Sequence, residues 1–294
     1  LEACVIGAMQ GVSELFPVSS LGHSVLLPAV IGGAWSRDLN VSAPESPYLA
    51  FIVGLHVATA IALLIYFWRD WVRIIRGLVT SIARREVRNA DQRLAWMLVL
   101  ATIPVGLVGL LAEHWFRTEL AKPSPTAVFL IMNGAVLIFA ERLRQREGNV
   151  DSEYVDERVS GPESDGRLAG QSWPQAVAIG STQILALAPG ISRSGIAMVS
   201  GMLRGLSRED AARFSFLLAT PVILAAGALK LGDLTGPLGS GIRGQVLVAS
   251  ILSGVGAYLS VRFLTRYLAN RSLLPFGVYC IVAGAACLAV FASR

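Results

Sequence analysis

Long apolar runs alternate with short basic stretches along the whole chain. The runs fall at about 3–16, 21–34, 49–68, 94–112, 126–140, 173–188, 195–203, 214–231, 244–261 and 273–292. A helix needs about 20 residues to cross the hydrocarbon core. The runs at 49–68, 94–112, 214–231, 244–261 and 273–292 reach or approach that length, and 126–140 is shorter but uninterrupted. The other four are short, or are cut by Pro17 and by Pro189-Gly190. Short broken pairs of this kind predict re-entrant hairpins, which enter the membrane and return to the same side. The expected fold is all-α: a polytopic helical membrane protein with two re-entrant helical hairpins and six full crossings.

The basic residues test that layout through the positive-inside rule. The loop after the third run holds Arg69, Arg73, Arg76, Arg84, Arg85, Arg88 and Arg93, which place that loop on the cytoplasmic side. With both pairs drawn as hairpins, most of the 25 Lys and Arg residues fall inside, including Arg204, Arg208, Arg213, Arg262, Arg266 and Arg271. Segments 69–93, 141–171 and 262–272 are then cytoplasmic, and 113–125 and 232–243 external. Each half holds one hairpin and three crossings. Three is odd, so the halves run in opposite senses, as in an inverted-topology repeat. "GVSELFPVSSLG" and "QILALAPGISRS" align Pro17 with Pro189 and Ser20 with Ser192, and "ATIPVG" at 101–106 is echoed by "ATPVIL" at 219–224. The expected division is one membrane domain over 1–294: a first repeat at 1–142, a polar flexible cytoplasmic loop at 143–171, and a second repeat at 172–294.

Composition agrees with a bilayer protein: 54% of the 294 residues are hydrophobic and 15% charged, against about a quarter charged in soluble domains. The segments lack the alternation of a membrane barrel. The net charge of +5 comes from the basic stretches between apolar runs, which argues against nucleic acid as a partner. Cys4, Cys280 and Cys287 lie in apolar runs without metal-type spacing and read as packing residues. The apolar runs continue to the C-terminus, so no secretory signal ahead of a soluble domain is expected, and a chain opening on Leu1 is expected to lack its extreme N-terminus.

Polar residues inside two of the broken runs carry the candidate chemistry. In "QGVSELFPVSSLGHSVLLP", Gln10 and Glu14 are four apart and share one helix face. Ser19 or Ser20 can cap the helix after Pro17. A carboxylate at membrane depth is costly and usually functional, and His23 stands three residues after Ser20. In "PGISRSG", Arg193 is the one charge between Trp173 and Leu203 and needs an anionic partner. Glu14 could be that partner in a purely structural ion pair. Yet Gly190 and Gly195 permit close backbone approach, Ser192 and Ser194 add donors, and a helix N-terminus attracts anions. Arginine also suits phosphate oxygens. The set forms an anion cradle, expected for phosphate. If the hairpin tips meet near the midplane, Glu14, Ser20 and His23 face Arg193 and its serines. A carboxylate beside phosphate suggests a divalent ion held by Glu14 and Gln10: magnesium, with calcium as the alternative.

These two motifs resemble the signatures of the undecaprenyl-diphosphate phosphatase, or bacitracin-resistance, family. The likeness extends to "GMLRGLSREDAARFSFLLATPV" at 201–222 and roughly to the whole chain outside 141–171. It implies hydrolysis of a C55 polyprenyl diphosphate to its monophosphate in the bacterial cytoplasmic membrane, with the lipid carrier recycled for peptidoglycan synthesis, bacitracin resistance, and an extracytoplasmic opening. Gln10 and Glu14 match the acidic motif, with an amide at its first position. Ser20 and His23 match its Ser and His, and Ser192, Arg193 and Ser194 its Ser-Arg-Ser. Where the family usually has threonine, this chain has Ala197, so a hydroxyl contact is either missing or supplied by a neighbour such as Ser200. Arg193 would hold the phosphates, Glu14 with Gln10 the metal, and His23 would act as acid or base. Ser20, a histidine or water remain open as nucleophile. A transporter or flippase for the same lipid on an inverted-repeat fold is the alternative, and the Lys-rich first motif of the other membrane lipid phosphatases is absent. The bilayer is a partner; a homo-oligomer is left open.

Overall fold

A computed structural model describes residues 2–39, 47–146, 162–235 and 241–294, all helices and their connections. The first broken run forms α1 (Glu2–Ser13) and α2 (Ser20–Ile31), each too short to cross a bilayer alone. A short α3 (Ala34–Asp38) follows, then α4 (Pro47–Tyr66), α5 (Trp68–Arg84), α6 (Ala90–Trp115), which runs on into a wider turn at Phe116–Leu120, and α7 (Pro123–Arg146). The second broken run gives α9 (Trp173–Ser181), a tight 3₁₀ segment at Thr182–Leu187, and α10 (Arg193–Met202). Between the halves stands α8 (Pro162–Ala169); α11 (Arg208–Thr235), α12 (Arg243–Asn270) and α13 (Leu274–Ala292) complete the chain.

Among the described residues, five helices are long and apolar enough to cross a membrane: Ala90–Ala112, Pro123–Arg146, Arg208–Leu229, Arg243–Asn270 and Leu274–Ala292. A sixth is counted if Phe51–Tyr66 and Trp68–Arg84, bent by 88°, form one broken span. The protein is therefore a polytopic helical membrane protein. Several helices outrun their apolar runs, because the basic ends of α7, α11 and α12 stay helical.

Helix α5 departs from the expected loop. Trp68, Val72, Ile75, Val79 and Ile82 project outward from it at helical spacing, while Asp70, Ile74, Gly77 and Ser81 face the protein and Arg69, Arg76 and Arg84 are exposed. A helix turned sharply from its predecessor, with one apolar outer stripe and one basic stripe, has the pattern of an element lying along a membrane surface.

The expected flexible loop at 143–171 also needs correction. Residues 147–161 lie outside the described set, but α7 continues through Arg146 and α8 is built into the protein. Its Ser164 and Asp165 are fully buried. The reason is charge pairing. Arg73 Nη2 lies 2.6 Å from Asp165 Oδ2 and Arg213 Nη2 lies 2.8 Å from Asp165 Oδ1. Arg213 also reaches Asp70 at 3.2 Å. Beside them Arg167 Nε and Ser164 Oγ each approach Asp210 within 2.6 Å, and Arg208 pairs with the buried Glu141. This ionic layer joins α5, α7, α8 and α11 at their basic ends.

Close backbone approach sets the packing of both hairpins. Helix α1 lies on α12 so tightly that a Cβ at Gly11 would meet Ser253 O at 2.3 Å, and α9 lies on α6 so that a Cβ at Gly180 would meet Ala101 O at 2.0 Å. Any larger residue would separate these pairs and shift the hairpin tips. Helix α4 packs against α11 and α12, and α7 against α13. The tips of both hairpins meet in the centre of this frame.

Candidate active site

Each hairpin turns at a serine cap. Ser19 is the N-cap of α2, and its Oγ accepts from Gly22 N at 3.2 Å and from Gly190 N of the other hairpin at 3.1 Å. Its φ of 68° is a left-handed conformation rare outside glycine. The two hydrogen bonds that the Ser19 side chain makes there help hold it. Ser192 caps α10 by accepting from Gly195 N at 3.1 Å. Gly190 has φ 108°, and a Cβ there would lie 2.4 Å from Thr126 O; only glycine fits between the tips and α7. Asn133 of α7 ties the hairpins together. Its Nδ2 donates to Pro17 O and its Oδ1 accepts from Ser192 N, both at 2.9 Å.

Because Ser19 does the capping, the Ser20 hydroxyl is left for Glu14, to whose Oε2 it donates. The same oxygen accepts from Gln10 Nε2 at 2.9 Å and lies 3.2 Å from His56 Nε2. Arg193, from the second hairpin, pairs with Glu14 Oε1. The expected convergence of Glu14, Ser20 and Arg193 is therefore present, across 179 positions of sequence. Glu14, Ser19, Ser20, His56, Ser192 and Arg193 line one cavity of about 250 Å³. Its other walls include Ile52 and Val53 near the start of α4, and Val222, Ile223, Ala226 and Gly227 in the C-terminal half of α11. The cavity thus extends away from the basic ends of these helices.

His23 is placed elsewhere. Its Nδ1 bonds to Ser19 O at 2.7 Å, which turns the ring toward α13. There Nε2 meets Tyr279 Oη at 2.8 Å and the two rings stack, in a separate apolar pocket lined by Met9, Val12, Phe16 and Phe276. The imidazole in the site is His56 of α4, whose Nδ1 bonds to Ile52 O at 2.9 Å and thereby aims Nε2 at the carboxylate. No motif surrounds His56, but a lone histidine in the apolar run at 49–68 is a signal in itself, since polar residues at membrane depth are seldom idle. The lone Asn133 in the run at 126–140 carried the same signal.

Gly190, Ser194 and Gly195 stand behind the cavity wall. Ser194 Oγ donates to Phe16 O at 3.3 Å and so braces the tips against each other. Gln10 is fully buried behind Glu14. Ser200 is not aimed at the cradle: its Oγ accepts from Arg204 Nη1 at 2.6 Å. It does not stand in for the hydroxyl missing at the buried Ala197.

Two buried polar atoms here have no partner, Arg193 Nη1 and Gln10 Oε1. Burying such groups unpaired costs about 1–3 kcal/mol each, so they read as places reserved for a ligand: Nη1 for an anion, Oε1 for a cation. Among the described residues no group of three His, Cys, Asp or Glu is spaced to hold a metal by itself. The oxygens present here that could meet a divalent ion are the unpartnered Gln10 Oε1 and those of Glu14, which already engage Arg193, Ser20, Gln10 and His56.

A helical membrane protein with a buried polar site between two broken helical segments is thus defined by geometry. Sequence comparison narrows the class. The family model described as Bacitracin resistance protein BacA matches residues 3–286, and the chain belongs to that family. It is 60% identical, over all of its length and 98% of the relative's, to a protein of Mycolicibacterium paratuberculosis named undecaprenyl-diphosphatase. A Mycobacterium avium protein of the same name is also 60% identical. A Chromobacterium violaceum protein named undecaprenyl-diphosphatase 2 is 42% identical over 97% of the chain.

Proposed function

We infer that this protein is an undecaprenyl-diphosphatase, a membrane hydrolase that converts the C55 diphosphate to its monophosphate and inorganic phosphate. The observation that carries the site assignment is the meeting, in one cavity, of an arginine with an unpaired Nη1 and a serine hydroxyl already hydrogen-bonded to a carboxylate. Full-length kinship to proteins bearing that name supports the substrate.

In this reading the terminal phosphate lies against Arg193 and the N-terminal turn of α10, which neutralise charge as it develops. Glu14 takes the Ser20 proton as Oγ attacks the terminal phosphorus. The bond from that phosphorus to the bridging oxygen breaks, and the polyprenyl monophosphate leaves. Water then cleaves the phosphoserine, with Glu14 and His56 moving its protons. Ser20 is preferred over a histidine nucleophile because His23 faces Tyr279 and His56 already engages Glu14. A divalent ion, magnesium or calcium, would be held by Glu14 and Gln10; it would supply charge stabilisation to the phosphate oxygens.

The cavity's extension toward the non-basic ends of α4 and α11 supports an opening on the outer side of the cytoplasmic membrane, the prenyl chain passing between helices into lipid. The matching contacts of α1 on α12 and α9 on α6 support two inverted repeats, 1–142 and 172–294. Recycling of the carrier for peptidoglycan synthesis, and bacitracin resistance, follow from the activity.

Purified protein given C55 diphosphate should release inorganic phosphate, and chelator should suppress release until magnesium or calcium is restored. Rapid quench with a labelled terminal phosphate should trap the label on Ser20. Lipid transfer between leaflets without phosphate release would instead identify a flippase.

A further inference from the structure

A second amphipathic groove lies away from the catalytic cavity. It has a volume of about 550 Å³ and is lined by the last turns of α12 and the residue that follows them. Its lining repeats at helical spacing: Leu259, Arg262, Phe263, Arg266, Tyr267 and Arg271. The three guanidiniums are exposed, and among the described residues none has an acidic partner. Leu259 and Phe263 are 58% and 49% exposed on a membrane-crossing helix, so they face lipid. Phe263 is held between Tyr267 and Phe16, at ring distances of 5.4 and 5.9 Å, which makes one wall of the groove rigid. Apolar lining therefore lies at membrane depth, and three cations without an acidic partner among the described residues extend from it to the basic end of the helix.

We propose that this groove is a binding site for an anionic glycerophospholipid of the cytoplasmic leaflet, its phosphate held by Arg262, Arg266 and Arg271 and its acyl chain along Leu259 and Phe263. The chemistry of both ends argues for it. Unpaired arginines at a membrane surface attract anionic headgroups and take phosphate oxygens in a bidentate fork. A soluble acidic partner would leave Leu259 and Phe263 unexplained, and a neutral lipid would leave three positive charges unanswered. The prenyl substrate has its own cavity, which runs toward the opposite ends of the helices.

The test uses delipidated full-length protein and native mass spectrometry with dioleoylphosphatidylglycerol or dioleoylphosphatidylcholine. The wild type should retain the anionic lipid at least about tenfold better than the neutral one. The variant Arg262→Gln/Arg266→Gln/Arg271→Gln should lose that preference while releasing phosphate from C55 diphosphate in detergent within about twofold of wild type. Arg266→Glu alone, a single exposed change, should lower the preference measurably and serves should the triple variant fold poorly. Equal retention of both lipids by the wild type, or unchanged preference in both variants, overturns the proposal. So does displacement of the phosphatidylglycerol by equimolar C55 monophosphate, which would assign the groove to the prenyl product.

Discussion

Two clusters of buried charge can be compared within this molecule. The ionic layer at the basic end joins Asp70, Asp165 and Asp210 to Arg73, Arg167 and Arg213. The hairpin site joins Glu14 to Arg193 and His56. The carboxylates of both are buried, though Arg167 of the layer is exposed, and both hold segments that are distant in sequence. None of these six charged groups has an unpaired buried side-chain atom, whereas the site leaves Arg193 Nη1 and Gln10 Oε1 without partners beside or behind an open cavity. A network whose capacity is used up by its own members fixes structure. One that retains capacity and faces a cavity has room for a substrate.

That contrast can be broken most severely at Ser20. Ser20→Ala should reduce phosphate release by about ten-thousandfold or more, because no other group is placed to form the phospho-enzyme, with no trapped label and little change in melting temperature. Arg193→Ala should follow, at about a thousandfold, the scale of losing a donor to developing charge. Diphosphate binding should fall with it, while Glu14 keeps Ser20, Gln10 and His56 and the fold survives. If Arg193→Ala instead unfolds the protein and binding per folded molecule is intact, the site is a second structural network and the comparison fails.

The ionic layer should respond in the opposite way. Asp165→Ala removes one of the two carboxylates that Arg73 and Arg213 share, leaving them Asp70, and should cost about 1.5–3 kcal/mol of stability, read as a clear fall in melting temperature, while activity per folded molecule in the cold stays near wild type. The histidines sharpen the distinction at smaller scale. His56→Gln should slow turnover about a hundredfold and change the pH profile. His23→Phe keeps the stack on Tyr279, loses the two ring hydrogen bonds to Ser19 O and Tyr279 Oη, and should cost about 1–3 kcal/mol of stability with turnover changed less than twofold. If the two histidine variants exchange these outcomes, the proton-moving role returns to His23.

Much was readable in one dimension, for identifiable reasons. Lipid leaves no water to satisfy a backbone, so apolar runs announce their helices, and Pro17 and Pro189-Gly190 announce where two of them break. A carboxylate and a guanidinium at membrane depth are too costly to be unpaired, which marked Glu14 and Arg193 as site residues and offered their ion pair as one alternative before any coordinates. The direction of a side chain was not readable. His23 stands three residues from Ser20, yet a bond to Ser19 O swings its ring to Tyr279; His56, from an unmarked run, arrives because α4 passes the hairpin tip and Ile52 O aims its ring. The cap at Ser19 rather than Ser20 was likewise decided by the Gly190 N–H coming from the other hairpin. So was the fate of 162–169: polar composition suggested a free loop, but Arg73 and Arg213 on two other helices give Asp165 a buried place. Sequence determined which residues could not be left in lipid alone; tertiary structure decided who would meet them, because partners come from whichever helices the close glycine contacts bring together.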